Sequence, residues 1–160
     1  MSFQGTINFK KIMIATDGSD CSKLAAEKGI ELARLSGGTV YAVCVVSTAS
    51  LSMYGDYFSS MGVNPYWELI YDALKNQAQQ AVDYVKGLGD TKGINVESIL
   101  LEGHPADELI HYAEENGMDL IVMGTLGRTG IDRLLLGSVA GNVVRHSKVP
   151  VMVVGKEYKS

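Results

Sequence analysis

Apolar residues along this chain occur in two patterns: short, largely unbroken runs, and longer stretches in which they recur every three or four positions. Runs at 10–16, 39–46, 119–124 and 149–154 are typical of strands that are buried on both faces of a parallel sheet. The run at 94–101 alternates more between apolar and polar residues, so we expect it to lie nearer to a sheet edge. The pattern therefore predicts five strands.

Between these runs the apolar residues have helical spacing, and residues typical of helix ends mark the boundaries. Ser19 is a candidate N-cap for a first helix that should end at Gly37. A long amphipathic helix is predicted from about Tyr66 to Leu88, and a third helix begins with Pro105 as its first residue. A fourth helix is predicted to begin at Gly137-Ser138, with the Ser138 hydroxyl as a possible cap.

Strands that alternate with helices of this length predict an α/β fold, a doubly wound and mainly parallel sheet of five strands. The 160 residues suffice for one domain with a sizeable core, which we expect to span 1–160. The segment at 47–65 departs from the pattern, because it is rich in glycine, serine and aromatic residues. A lid, a contact surface and a disordered insert all remain open for it.

Glycines are regularly spaced after the fourth strand, at Gly124, Gly127 and Gly130, and Gly137-Ser138 then opens the fourth helix. Glycines let the main chain approach phosphate oxygens, and a helix start offers free N–H groups with a positive dipole end. The spacing fits neither a Walker A loop nor the dinucleotide fingerprint G-x-G-x-x-G. We interpret this stretch as a nucleotide phosphate site, and a flexible loop with ordinary turn glycines is the alternative.

The carboxyl ends of parallel strands are where ligands bind in such sheets, at the point where the strand order reverses. Asp17 follows the first strand, and its carboxylate is either an acceptor for sugar hydroxyls or part of a turn before the first helix. Arg128 and Arg133 either neutralise phosphate charge or are solvated. His104 and His111 are interpreted as a helix-start residue and a surface residue, so no catalytic or metal-binding residue is predicted.

Net charge and cysteine usage narrow the class of protein. A formal net charge of −4 argues against a nucleic-acid partner and against a polybasic membrane anchor. No apolar run approaches the ~20 residues of a membrane-spanning helix, and the first residues lack the pattern of a secretory signal. Cys21 and Cys44 form no C-x-x-C motif. We therefore expect a cytoplasmic protein with reduced thiols and with neither nucleic-acid nor membrane partners.

Several segments resemble the universal stress protein family, over nearly the whole chain outside 47–65. They are the opening 12–19, the turn at 102–105, the run 119–124 and the close at 148–154. Gly124-x-x-Gly127, nine further residues and Gly137-Ser138 match G-x2-G-x9-G-[ST], the motif of the family's ATP-binding branch. The resemblance implies a Rossmann-like domain of the adenine nucleotide alpha hydrolase-like type.

An ATP site is also implied by the resemblance, with Asp17 against the ribose and the backbone of Val45 beside the adenine. A divalent ion, Mg²⁺, would be carried by the phosphates with few protein ligands. The predicted nucleotide-binding residues are Ala15, Thr16, Asp17, Val45, Met123, Gly124, Gly127, Arg128, Gly137, Ser138, Val139 and Ala140.

The leading functional hypothesis is an ATP-binding regulatory protein whose nucleotide state is read by an unknown protein partner. Hydrolysis should be slow at most, because no general base is evident for attack on the γ-phosphate. A nucleotide-free dimerisation module is one alternative. An ATP-cleaving transferase or ligase is another, although the loop Ser-Gly-Gly-x-Asp-Ser and the motif His-x-Gly-His of such enzymes are both absent.

The last strand, Val149–Val154, is expected to lie at a sheet edge with little charge to protect it. Antiparallel pairing with the same strand of a second copy would bury it across a two-fold axis. The resemblance implies the same homodimer. Coverage of the edge by the tail at 155–160 is the alternative.

Overall fold

The strands of this protein form one parallel sheet in a computed structural model, which describes residues 8–49, 52, 53, 56, 60, 67–125 and 136–155. They are β1 (Lys11–Ala15), β2 (Thr39–Ser47), β3 (Val96–Gly103), β4 (Leu120–Gly124) and β5 (Val151–Val154). The strand order is β3-β2-β1-β4-β5, and every neighbouring pair is parallel. The predicted five-stranded parallel α/β sheet is therefore confirmed.

Helices cover both faces of the sheet. They are α1 (Asp20–Ser36), α2 (Trp67–Lys92), α3 (Pro105–Glu115) and α4 (Ser138–His146). Buried residues of α1 and α2 share one hydrophobic cluster with one face of the sheet. Buried residues of α3 and α4 share a second cluster with the other face. The fold is thus doubly wound, as a right-handed series of β-α-β units requires.

The strand order reverses at β1. This strand pairs with β2 on one side, with Ala15 opposite Val43, and with β4 on the other, with Ile14 opposite Val122. The chain runs outward from β1 to β3 and then returns to the opposite side to form β4 and β5. The carboxyl ends of β1 and β4 therefore lie side by side at the switch point. The expected edge positions of the third and last strands are both confirmed.

The second helix is longer than the sequence predicted, because α2 continues past Leu88 to Lys92. A Cβ atom at Gly89 would lie 2.3 Å from Cγ2 of Val96 and 2.9 Å from the carbonyl oxygen of Ile94. Glycine therefore lets the last turn of α2 pack directly against the chain that enters β3. Strand β3 begins at Val96, two residues later than expected.

Smaller differences occur at the last strand and in the segment 47–65. Helix α4 ends at His146, and β5 begins at Val151 instead of Val149. In the segment 47–65, Ser47 ends β2 and the described residues 48, 49, 52, 53, 56 and 60 are helical. The rest of that segment lies outside the described residues, as does the tail after residue 155.

Candidate functional site

A tight turn connects β1 to α1 at the switch point. Oδ1 of Asp17 accepts a hydrogen bond from the backbone N–H of Ser19 at 2.9 Å, which is the side-chain turn expected of aspartate here. Gly18 has a φ of +80°, a conformation that favours glycine. Ser19 caps α1, and its Oγ accepts from the N–H of Ser22 at 3.3 Å. The N-cap prediction is confirmed, and the turn holds the Asp17 carboxylate directly after β1.

Two buried hydroxyls lie beneath this turn. Thr16 and Ser22 are the buried polar side chains among the described residues, with exposed fractions of 7% and 4%. Thr16 Oγ1 donates to Ser22 Oγ at 3.1 Å, and Ser22 Oγ donates to the carbonyl of Ser19 at 2.8 Å. Thr16 Oγ1 also accepts from the N–H of Gly18 at 3.2 Å. Both hydroxyls are therefore satisfied, as buried polar groups usually are.

Ser22 was missed by the sequence analysis, although one signal was present. It lies three and seven positions before Ala25 and Gly29, on the stripe that α1 buries against the sheet. A serine on such a stripe needs a hydrogen-bond partner, because burial of an unpaired hydroxyl is costly. Thr16, at the end of β1, supplies such a partner.

At the end of β4, Gly124 packs against the first turn of α1. A Cβ atom at this position would lie 2.9 Å from both the carbonyl carbon and the carbonyl oxygen of Cys21. Real Cβ atoms essentially never come this close to backbone, so a side chain here would push β4 and α1 apart. Glycine at 124 is therefore required by internal packing, in addition to any approach to a ligand.

The loop after β4 is closed by hydrogen bonds at both of its ends. The N–H of Gly137 donates to the carbonyl of Thr125 at 2.7 Å, and the N–H of Thr125 donates to the carbonyl of Val154 at 3.0 Å. These bonds place the start of α4 beside the ends of β4 and β5. The loop interior, with Gly127, Arg128, Gly130 and Arg133, lies outside the described residues.

Gly137, and not Ser138, is the N-cap of α4. The possible capping role of the Ser138 hydroxyl is therefore wrong, because Ser138 is already the first helical residue, one position past the N-cap. The first intrahelical bond runs from the N–H of Gly141 to the carbonyl of Gly137, at 2.8 Å. The three preceding N–H groups, of residues 138–140, have no acceptor in their own helix. Since glycine offers no capping side chain, the first turn of α4 presents these donors at the positive end of the helix dipole.

The remaining predicted residues converge on one side of the sheet. The hydrophobic cluster beneath α3 and α4 contains Ala15, Met123 and Ala140 as buried members, and the half-buried Val45 and Val139 pack against it. They come from the ends of three neighbouring strands and from the first turn of α4. Asp17 and Gly124 lie at the ends of β1 and β4 beside them. The structure thus brings together all of the predicted site residues that it describes.

Shifted pKa values occur elsewhere in the described part of the molecule. A hydrogen bond from Arg34 lowers the pKa of Glu31 on the surface of α1. A hydrogen bond to Glu102 raises the pKa of Tyr71, and burial raises that of Tyr112.

Within the described ranges no cluster of three or more His, Cys, Asp or Glu side chains is placed to hold a metal ion. Nor is any helix in those ranges sufficiently long and apolar to cross a membrane.

Comparisons with known proteins identify relatives that match nearly all of the chain. The model of the "Universal stress protein family" matches residues 8–155. Universal stress protein MJ0531 of Methanocaldococcus jannaschii is 42% identical over 151 residues, which cover 94% of this chain and 85% of that protein. Universal stress protein MJ0577 of the same organism is 30% identical over 160 residues, covering 95% of this chain and 98% of that protein.

Solved structures show the same fold. The structure of MJ0577 superposes with a TM-score of 0.80 at 26% identity, over 94% of this chain and 99% of that one. A universal stress protein crystallised in complex with cAMP superposes with a TM-score of 0.61 at 26% identity, over 92% of this chain and 98% of that one. From its sequence and its fold alike, this chain belongs to the universal stress protein family.

Proposed function

We propose that this protein is a cytoplasmic, ATP-binding regulatory protein formed by a single domain of residues 1–160. The observation that carries the proposal is the hydrogen bond between the N–H of Gly137 and the carbonyl of Thr125, at 2.7 Å. It holds a helix start, whose first N–H groups have no acceptor in their own helix, at the switch point of a parallel sheet, where such folds bind nucleotides. The complex of a related protein with cAMP supports an adenine nucleotide as the ligand.

Each part of ATP meets a different kind of group in this proposal. The Asp17 carboxylate contacts the ribose, with Ala15 and Thr16 beside it. Val45 and Met123 border the adenine, which suits their membership of the apolar cluster at this edge. The phosphates are held by the following residues at the ends and in the interior of the loop: Gly124, Gly127, Arg128, Gly137, Ser138, Val139 and Ala140.

The donors at the start of α4 fit phosphate oxygens, because backbone N–H groups at a helix N-terminus stabilise negative charge. Mg²⁺ would reach the site on the phosphates and neutralise part of their charge. Phosphate binding then depends on main-chain geometry more than on any one side chain. Slow hydrolysis at most is expected, since the proposal includes no general base.

Regulation would act through β5 and a homodimer. Thr125 accepts from Gly137 and donates to Val154, so it connects the start of α4 to the end of β5. Strand β5 is an edge strand, and Val151, Met152 and Val153 are only half-buried. Antiparallel pairing with β5 of a second copy would cover this edge. Nucleotide bound at the start of α4 would thereby alter the dimer surface that a protein partner recognises.

Equilibrium dialysis with radiolabelled ATP tests the proposal, together with mass spectrometry of any nucleotide that co-purifies. The variant pair is Gly127→Val with Gly137→Val. Gly137 has φ −58° and ψ 160°, which valine also adopts, so its side chain obstructs the helix start without straining the backbone. The matched control is Gly87→Ala, whose added Cβ meets no heavy atom within 4 Å.

We expect the wild type and the control to retain ATP, and the double variant to lose it. A wild type that retains no ATP but sediments as a dimer would favour the nucleotide-free dimerisation module. Release of AMP and pyrophosphate would favour the ATP-cleaving enzyme. Monomeric protein in sedimentation velocity, with and without ATP, would exclude the proposed β5 dimer.

A further inference from the structure

Ser22 is buried beneath the turn that carries Asp17, and the proposed contacts with ATP do not include it. Its Oγ accepts a hydrogen bond from Thr16 Oγ1 at 3.1 Å and donates one to the carbonyl of Ser19 at 2.8 Å. Its own N–H donates to Ser19 Oγ at 3.3 Å. With 4% of its surface exposed, Ser22 lies in the interior. The residue thus bonds to the residue before Asp17 and to the second residue after it.

These bonds clamp both ends of the turn. Within the turn, Gly18 donates to Thr16 Oγ1 at 3.2 Å and Ser19 donates to Asp17 Oδ1 at 2.9 Å. The hydroxyl proton of Thr16 is directed to Ser22 Oγ, so Thr16 Oγ1 can accept from the N–H of Gly18 in this geometry. Loss of the Ser22 hydroxyl removes the acceptor for that proton and frees the threonine hydroxyl to rotate away from Gly18.

We infer that Ser22 is a positioning residue for ribose recognition: its buried hydroxyl orients the turn that presents the Asp17 carboxylate to the ribose hydroxyls. The inference rests on the proposed function and extends it to a residue that makes no contact with nucleotide. On this inference, the hydrogen-bonded hydroxyls of Thr16 and Ser22 let the protein distinguish a ribose with both hydroxyls from one that lacks them. Displacement of the Asp17 carboxylate should lower affinity only for a ligand whose hydroxyls donate hydrogen bonds to it.

The test compares ATP with 2′,3′-dideoxy-ATP, which lacks both ribose hydroxyls, by isothermal titration calorimetry. We expect Ser22→Ala to weaken ATP binding about five- to tenfold, the effect of misaligning one hydrogen bond to a charged group. Affinity for the dideoxy analogue should stay within about twofold of the wild type, since that ligand makes no bond to be misaligned. In the Asp17→Ala background, Ser22→Ala should have no additional effect on ATP binding.

Two further variants separate positioning from general packing. Thr16→Val keeps the shape of the side chain but removes the hydroxyl at the other end of the chain, so it should show the same selective loss of ATP affinity. It also tests the inference if Ser22→Ala does not fold. Ser36→Ala is the matched control, because Ser36 is also on α1 and its Oγ donates to the carbonyl of Phe9 at 2.7 Å, at the opposite end of the sheet. Its binding of both nucleotides should equal that of the wild type.

Three results would overturn the inference. Folded Ser22→Ala or Thr16→Val that binds ATP as tightly as the wild type would show that the hydroxyl chain has no role in binding. Equal losses for ATP and its dideoxy analogue would show a general structural role. A wild type that binds neither nucleotide would refute the proposed function itself and the inference with it, which distinguishes the two failures.

Discussion

The two ends of the sheet are closed by different kinds of contact. At the amino ends of the strands, Oδ2 of Asp119 accepts from the backbone N–H groups of Lys10 and Lys11, at 3.0 and 2.9 Å. The Lys10 ammonium donates to the carbonyl of Ser36 at 2.6 Å, and that of Lys11 donates to the carbonyl of Asn116. Charged side chains at this end therefore occupy main-chain donors and acceptors and join β1 to its neighbours.

At the carboxyl end of β4 and the start of α4, glycines make the contacts between chain segments. Gly124 contacts the backbone of Cys21, and Gly137 donates to the carbonyl of Thr125. Glycine allows backbone to approach backbone directly, and the first N–H groups of α4 have no acceptor in their own helix. Charged side chains thus close one end of the sheet, and direct main-chain contacts form the other end, where the proposed nucleotide site lies. The following predictions test whether the two ends are separable in this way.

The largest effect is expected for Gly124→Ala at the carboxyl end. The added Cβ would lie 2.9 Å from the carbonyl group of Cys21, and relief of that overlap must separate β4 from α1. We expect the free energy of unfolding to fall by about 2 kcal/mol. ATP affinity should fall about tenfold or more, because the two loops of the site move relative to each other. Urea denaturation and calorimetry measure the two quantities.

Gly87→Ala is the control for this substitution. Gly87 lies inside α2, and a Cβ atom there meets no heavy atom within 4 Å. Alanine should raise the free energy of unfolding by about 0.5–1 kcal/mol, owing to its higher helix propensity, and leave ATP binding unchanged. If Gly124→Ala proved as harmless as this control, the close packing of β4 on α1 would not be needed for binding.

A smaller effect, on stability alone, is expected for Asp119→Ala at the amino end. The substitution leaves the N–H groups of Lys10 and Lys11 without their carboxylate acceptor. The free energy of unfolding should fall by about 1–2 kcal/mol. Asp119→Asn, which keeps one acceptor oxygen, should lose less. Both variants should bind ATP as the wild type does, and a parallel loss of affinity would show that the two ends are coupled.

The smallest effect concerns pH and Tyr112, which also lies toward the amino end. Burial raises the pKa of Tyr112, and the nearby Glu97 and Tyr41 raise it further. The folded state therefore favours the protonated phenol. This contribution to stability is complete below the unfolded pKa of about 10 and is lost as the pH rises through the folded pKa.

Tyr112→Phe should therefore lose less stability than the wild type between about pH 9 and pH 11. The difference should be a few tenths of a kcal/mol, since solvent screens a partly exposed group. Urea denaturation at several pH values measures this difference in stability loss. Titration of the other tyrosines and of the lysines contributes to both proteins alike, because both contain these residues. Equal alkaline losses in the two proteins would contradict the assignment.

Local signals in the sequence were sufficient for the class of fold. Unbroken apolar runs and helical periodicity predicted the strands and helices, because burial on one or two faces leaves a regular record along the chain. Ser19 as N-cap and Pro105 at the start of α3 were also predicted, since capping depends on residues only a few positions apart. The glycine spacing after β4 and the position of Asp17 after β1 indicated the candidate site, because each is a signal that a short stretch of sequence contains.

Tertiary structure alone decided the features that depend on residues distant in sequence. Gly89 lets the last turn of α2 pack against Val96, and the N–H of Gly137, the N-cap of α4, donates to the carbonyl of Thr125. The bond between Thr16 and Ser22 likewise exists only because α1 packs over the end of β1. Periodicity along a chain records which face of an element is buried, but not which residue it meets there, so the element types followed from the sequence and these contacts required the fold.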